Sequence, residues 1–223
     1  MSRCAYCSAT ATTRDHVPPG AFFSRPRPGD LITVPCCASC NTSLGFSDAY
    51  VRAVIQLRDD VSASPRARGL LDVVLRGLER PQAAGLRSRF ADARLEVDVS
   101  SRAGIYLGRR DAVLVETARM DAFVARLARG LFYEHFEQPV PETFLVTPIS
   151  ILEAAPEVLA QFVGFASQGP RSVGDGVFSY WWGEALDSAL TTVWLMVFYG
   201  LVPFGALVRN PDDPSMEGQD AAS

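Results

Sequence analysis

The sequence predicts an α+β fold in two parts, a short N-terminal unit closed by cysteines and a larger α+β domain behind it. Three observations carry that reading. Two Cys-x2-Cys pairs, Cys4/Cys7 and Cys37/Cys40, fall within the first 40 residues. Beyond residue 58, helical and strand patterns occur in separate runs. Between them, Asp59-Asp60-Val61-Ser62-Ala63-Ser64-Pro65 has the composition of a linker or break. The expected division is therefore 1–58, 66–209, and an acidic tail of 210–223, which carries two prolines and is expected to be disordered.

The cysteine pairs come first along the chain. A Cys-x2-Cys knuckle lets two thiolates grip one ion from a tight turn, and two knuckles supply the four sulfurs of a tetrahedral structural zinc site. The 29 residues between the pairs form one closed loop. A metal clip on such a loop lets a unit of under ~60 residues hold its shape without a large core. Disulfides are the alternative. No apolar signal segment opens the chain and the cysteine count is odd, which favours a reducing, cytoplasmic setting and a metal site. Cys36 is the spare thiol, read as a small buried hydrophobe.

Inside the clip the chain reads Thr13-Arg14-Asp15-His16-Val17-Pro18-Pro19, and it continues to Val34-Pro35-Cys36-Cys37-Ala38-Ser39-Cys40-Asn41. These residues resemble the HNH (ββα-metal) endonucleases, in which a treble-clef-like zinc knuckle holds together a strand bearing Asp-His and a helix start bearing Asn or His. Phe22-Phe23, Pro26 and Pro28, Leu31 to Pro35 and Phe46-Ser47-Asp48 are similar to a bacterial subgroup with an added C-terminal domain. The resemblance covers roughly residues 1–58 and only loosely the positions beyond them. It implies a metal-dependent endonuclease acting on DNA, with His16 as general base and Asp15 and Asn41 holding a catalytic Mg²⁺ or Mn²⁺.

The chemistry asks for those residue types. Phosphodiester hydrolysis needs an activated water and a cation at the leaving oxygen. An imidazole, with an ordinary pKa of ~6.5, can take the water's proton at neutral pH. Carboxylate and amide oxygens suit a hard divalent ion. One position departs from the family pattern: Ile32 stands where a middle asparagine usually helps to orient the base. A further ligand one helical turn on would fall at Gly45, which has no side chain. Asp48, seven residues after Asn41 and so close to the same helical face, is a substitute ligand or an exposed carboxylate.

Charge is uneven along the chain. Residues 1–58 hold six arginines against three acids, whereas the remainder holds 15 against 22. The net charge of −4 argues against broad nonspecific nucleic-acid binding and for a small footprint or a partner protein. Arg14, Arg25, Arg27 and Arg52 are candidate phosphate contacts, or else ordinary surface arginines.

The remaining elements can be taken in order. Asn41 to Arg58 reads as a helix with Tyr50, Val54 and Leu57 on one stripe, and Arg66 to Arg80 as a second with Leu70, Leu71, Val74, Leu75 and Leu78. Leu95 to Val99, Gly104 to Leu107 and Ala112 to Glu116 read as short strands. Thr117 to Glu137 is the longest helical pattern, with Met120, Val124, Leu127 and Leu131 along one face. His135 lies four residues beyond Leu131, a position for a half-buried, hydrogen-bonded histidine. Then come a strand at Thr143 to Thr147, a helix near Ile149 to Leu159, and strands near Gln161 to Ala166 and Val177 to Trp182. Ser188 to Val208 is 21 residues without charge, long enough to span a membrane. Gly200, Pro203 and Gly205 interrupt it, and its β-branched and aromatic residues predict two buried strands joined near Tyr199-Gly200.

Two readings of function, from different classes, are consistent with these residues. One is the HNH endonuclease. The other is a noncatalytic zinc-binding module that holds nucleic acid or a protein. They differ in whether Asp15, His16 and Asn41 converge on one exposed point.

Overall fold

The computed structural model describes residues 2–101, 103–149, 151, 162, 164–185, 188 and 190–212. Strands β1 (Thr13–Val17) and β2 (Ile32–Cys36) pair antiparallel, placing Asp15 opposite Val34 and His16 opposite Thr33. Helix α1 (Ala38–Gln56) comes directly after β2. It starts three residues before the expected Asn41, because Cys37 is extended and its sulfur accepts the Cys40 N–H as an N-cap. A thiol does here what Ser or Asp does in the usual cap signature, so Asn41 stands a full turn inside the helix.

The expected linker is not one. It contains helix α2 (Asp59–Ser62) and leads into a 3₁₀ turn at Pro65–Ala67, with Val61 and Ala67 sealed from solvent. Helix α3 (Leu70–Leu78) is shorter than its sequence pattern. Helix α4 (Ala84–Asp92) was not expected, since its Ala-, Gly- and Arg-rich sequence lacks an apolar stripe. Strands β3 (Arg94–Ser100) and β4 (Tyr106–Val113) form a hairpin, in which the two short strands expected after residue 103 are one. Helix α5 (Thr117–Phe136) matches its pattern closely.

The rest is a five-stranded antiparallel sheet in the order β5-β9-β8-β7-β6. In chain order, β5 to β9 are Leu145–Ile149, Gln168–Val173, Phe178–Glu184, Thr192–Phe198 and Val202–Arg209. The long uncharged run is the β8-β9 hairpin. Tyr199 and Gly200 take positive φ of 55° and 74° in the three-residue turn that joins Phe198 to its partner Val202. Thr192, Trp194, Met196 and Phe198 alternate inward along β8. No described helix is long and apolar enough to cross a membrane. Phe162, Gly164 and Phe165 are helical where a strand was expected, and β6, rich in Gly, Pro and polar residues, was missed. The helix expected near 149–159 and the tail from 213 onward lie outside the described residues, apart from Ile149, which belongs to β5, and Ile151, a bend.

One hydrophobic core runs through both expected domains. Val17, Phe22, Val34 and Tyr50 belong to the same buried cluster as Phe123, Leu127, Phe198 and Val208. Phe22 lies 5.4 Å from Phe123 and 4.9 Å from Phe198 between ring centres. Helix α5 can approach β1 closely because residue 130 is glycine, where a Cβ would stand 2.6 Å from a methyl of Val17. One turn earlier on that helical face is Arg126. Gln56 and Tyr199 add a buried polar tie, with the Gln56 amide donating to the Tyr199 hydroxyl and that hydroxyl donating to the Phe22 carbonyl, at 2.7 and 2.9 Å.

Candidate functional site

The first knuckle is pinned to β2 by Ala5 N–H on the Pro35 carbonyl (2.9 Å) and Thr12 N–H on the Cys36 carbonyl (3.1 Å). The second opens α1. Peptide N–H groups of Tyr6 and Cys40 point at the sulfurs of Cys4 (3.5 Å) and Cys37 (3.4 Å). All four sulfurs of Cys4, Cys7, Cys37 and Cys40 lie within 4.8 Å of one another, and those of Cys7 and Cys37 are 3.6 Å apart. A tetrahedron with metal–sulfur bonds of ~2.3 Å has edges of ~3.8 Å. The donor set fits, and these four cysteines could hold a metal ion such as zinc. Hydrogen bonds from Ser39 and the Cys40 N–H hold the Cys37 thiol down to about 6, whereas burial pushes Cys40 upward. Thiols this close do not all ionise without a cation among them. Burial pushes the fully enclosed Cys36 up to about 12, and its S–H donates to the Cys37 carbonyl at 3.3 Å. It stays outside the cluster.

Beside the cysteines, the pleat of β1 sends Asp15 inward and His16 to the other face. Asp15 is 9% exposed. One of its oxygens, Oδ2, accepts both the Tyr6 hydroxyl (2.8 Å) and Nη2 of Arg126 (2.6 Å). The other arm of Arg126 bonds Asp48, so one guanidinium is shared by two carboxylates. Burial pushes Asp48 up to about 6 against the pull of that single cation. Asp48 is thus neither an exposed carboxylate nor an open ligand, because Arg126 holds it. Among the described residues Oδ1 of Asp15 has no hydrogen bond.

Asn41 is exposed on α1, and its amide nitrogen reaches Thr13 Oγ1 at 3.4 Å, leaving the amide oxygen open. Thr13 and Asp15 lie on the same face of β1, so the fold brings Asn41 and Asp15 to one side of the hairpin. His16 lies on the opposite side with Arg14, half-buried, and has no hydrogen bond among the described residues. Arg14 bonds Thr33, the cross-strand neighbour of His16, at both Oγ1 (2.8 Å) and the carbonyl (2.6 Å). Ile32 pairs with Val17 and packs on the core. Arg25 and Arg27 are exposed, whereas Arg52 is drawn inward with its Nε sealed from solvent and Nη1 on the Ala21 carbonyl at 3.5 Å.

The oxygens of Asp15 and Asn41 suit a hard divalent ion in kind, with one carboxylate oxygen free of hydrogen bonds among the described residues and one open amide oxygen on one side of the hairpin. Tyr6 and Arg126 then stand behind the carboxylate and fix its orientation, as hydrogen-bonding partners of metal-bound carboxylates do. Neither was found from sequence. Tyr6 lies inside the first knuckle without a motif of its own. Arg126 did carry a signal, a charge set between the apolar pairs Val124-Ala125 and Leu127-Ala128. No family model matches the chain, and no curated protein or solved structure matches it either, so its functional reading rests on this geometry.

Proposed function

We propose that the chain is a metal-dependent endonuclease of the HNH (ββα-metal) kind, hydrolysing phosphodiester bonds in DNA, with a structural zinc on Cys4, Cys7, Cys37 and Cys40. One observation carries the reading. Asp15 commits Oδ2 to Tyr6 and Arg126, has no hydrogen bond on Oδ1 among the described residues, and shares its side of the hairpin with Asn41. A Mg²⁺ or Mn²⁺ ion bound there would supply positive charge at the leaving oxygen. Asp15, held by two donors, and Asn41, fixed on a helix that the Cys37/Cys40 knuckle starts, are the residues that would hold it. Neither ring nitrogen of His16 has a hydrogen bond among the described residues, which leaves one to take a proton from water and the other to be oriented by a second partner. Its place on the other face of β1 means that the reacting phosphate would have to be reached from both faces of that strand.

The second reading is a noncatalytic zinc module that binds nucleic acid or a protein. It is favoured by the divergence of Asp15 and His16 on the pleat. Plasmid cleavage by the purified chain, with and without Mg²⁺ or Mn²⁺, separates the two. The nuclease cleaves only with the divalent ion, and His16→Ala lowers the rate by ~10²–10⁴-fold, the worth of a general base, with zinc content unchanged. Oligonucleotide binding without cleavage under any of these conditions would establish the module instead.

A further inference from the structure

A cleft of about 670 Å³ lies between α1, α3, α4 and the start of α5, and Arg80, Arg89 and Arg119 line it. The negative balance beyond residue 58 hides the source of the first two, since residues 66–94 hold seven arginines against three acids. Glu116 takes Arg119 at 2.6 Å and Arg89 at 3.4 Å, and Arg119 also lies over the Tyr50 ring, 5.6 Å from its centre. Arg80 is exposed and has no side-chain hydrogen bond or ion pair among the described residues. Two of the three cations thus share one carboxylate, and Arg80 has none among the described residues.

The floor of the cleft is built for room. Gly45 on α1, Gly77 on α3 and Gly85 on α4 line it, and a Cβ at any of the three would meet nothing within 4 Å. Packing does not require glycine at these positions, and apart from proline glycine is the poorest residue in a helix. What the three glycines give is open space. Thr42, Gly45 and Ala49 follow helical spacing on the stripe next to that of Asn41 and Asp48, so the cleft opens beside the candidate ligand Asn41.

We propose that this cleft carries the phosphodiester backbone of the nucleic-acid strand, with Arg80, Arg89 and Arg119 as its phosphate contacts. The inference rests on the nuclease reading and adds where the substrate lies. Guanidinium groups bind phosphate through paired N–H donors, and a local positive field attracts a strand even on an acidic chain.

The test is fluorescence anisotropy of a labelled oligonucleotide, single-stranded and duplex, with the full zinc-loaded chain and no Mg²⁺, titrated across salt. Arg80→Gln and Arg89→Gln should each weaken binding several-fold and reduce the slope of log affinity against log salt by about 1. Gly77→Leu should weaken binding while leaving the melting temperature equal or higher. Arg110→Gln, on β4 and not lining the cleft, should change nothing. Unaltered slopes in the Arg80 and Arg89 variants, equal loss in Arg110→Gln, no binding by the wild type, or competition by inorganic phosphate at the concentration of oligonucleotide phosphates would each overturn the proposal. Binding that depends on the cleft, without cleavage in Mg²⁺, leaves the cleft standing and removes the nuclease. Cleavage with binding indifferent to the arginines does the reverse.

Discussion

Asp15 is the residue on which the site turns, and its surroundings make the first prediction. Tyr6→Phe deletes a hydrogen bond from a hydroxyl to the charged carboxylate oxygen Oδ2 and leaves Arg126 in place. Stability should fall by about 1.5–3 kcal/mol. On the nuclease proposal, the Mg²⁺ concentration for half-maximal cleavage should rise about 10-fold, as when a hydrogen-bonding partner of a metal ligand is lost. A denaturant melt and a metal titration measure the two effects separately. Tyr6 was illegible from sequence and Arg126 showed only as a charge inside an apolar stretch, because their partners depend on where α5 docks. His135 was legible. It lies among Tyr180, Trp182 and Trp194, with a ring nitrogen 3.1 Å from the Tyr180 hydroxyl, and burial, aided by Arg171, pushes its pKa down to about 4. The fold therefore favours the neutral ring. That stabilisation is full above the unfolded value of ~6.5 and is lost as pH falls from there through about 4. Melting temperatures followed from pH 7 to 4 should fall less steeply in His135→Phe than in the wild type.

Helix α1 joins the two metal questions in one element. Because Cys37 caps the helix, Asn41 is not needed for capping, and Asn41→Ala should change stability by no more than about 0.5 kcal/mol. If Asn41 is a ligand, the same variant should raise the Mg²⁺ requirement about 10-fold or more. An unchanged requirement would remove Asn41 from the site. The sequence marked the helix and its last cysteine but misplaced its start, since a sulfur cap is not among the usual Ser, Thr, Asp and Asn signals. Strands β8 and β9 read clearly because alternation and a Tyr-Gly turn agree. Helix α4 and β6 did not, having neither an apolar stripe nor alternating apolar residues, and both are held by their neighbours.

On the scale of the whole molecule, two domains were expected and one core is found. Removing the proposed zinc, by chelation or Cys40→Ser, should therefore not release an unfolded residue 1–58 segment from an intact remainder. Calorimetry and near-ultraviolet circular dichroism should record a single transition, lowered as a unit, because Phe22 and Val17 pack directly on α5 and β8. Two separated transitions would restore the independent domain. The shared core escaped the sequence reading because polar residues 59 and 60 look like a boundary, while the buried Val61 between them and Pro65 is the one branched apolar side chain in that stretch. That core also sets an order of events during biosynthesis. All four thiols exist once Cys40 has been made, yet Phe123 and Phe198, which cover Phe22, come 83 and 158 positions later. At ~5–20 residues per second, the gap to Phe198 lasts roughly 8–30 s on the ribosome. Until Phe198 is made the nascent hairpin and α1 lack their full hydrophobic cover, so the proposed zinc would be what holds them, and zinc supply during translation would bear on yield as well as on the stability of the finished protein.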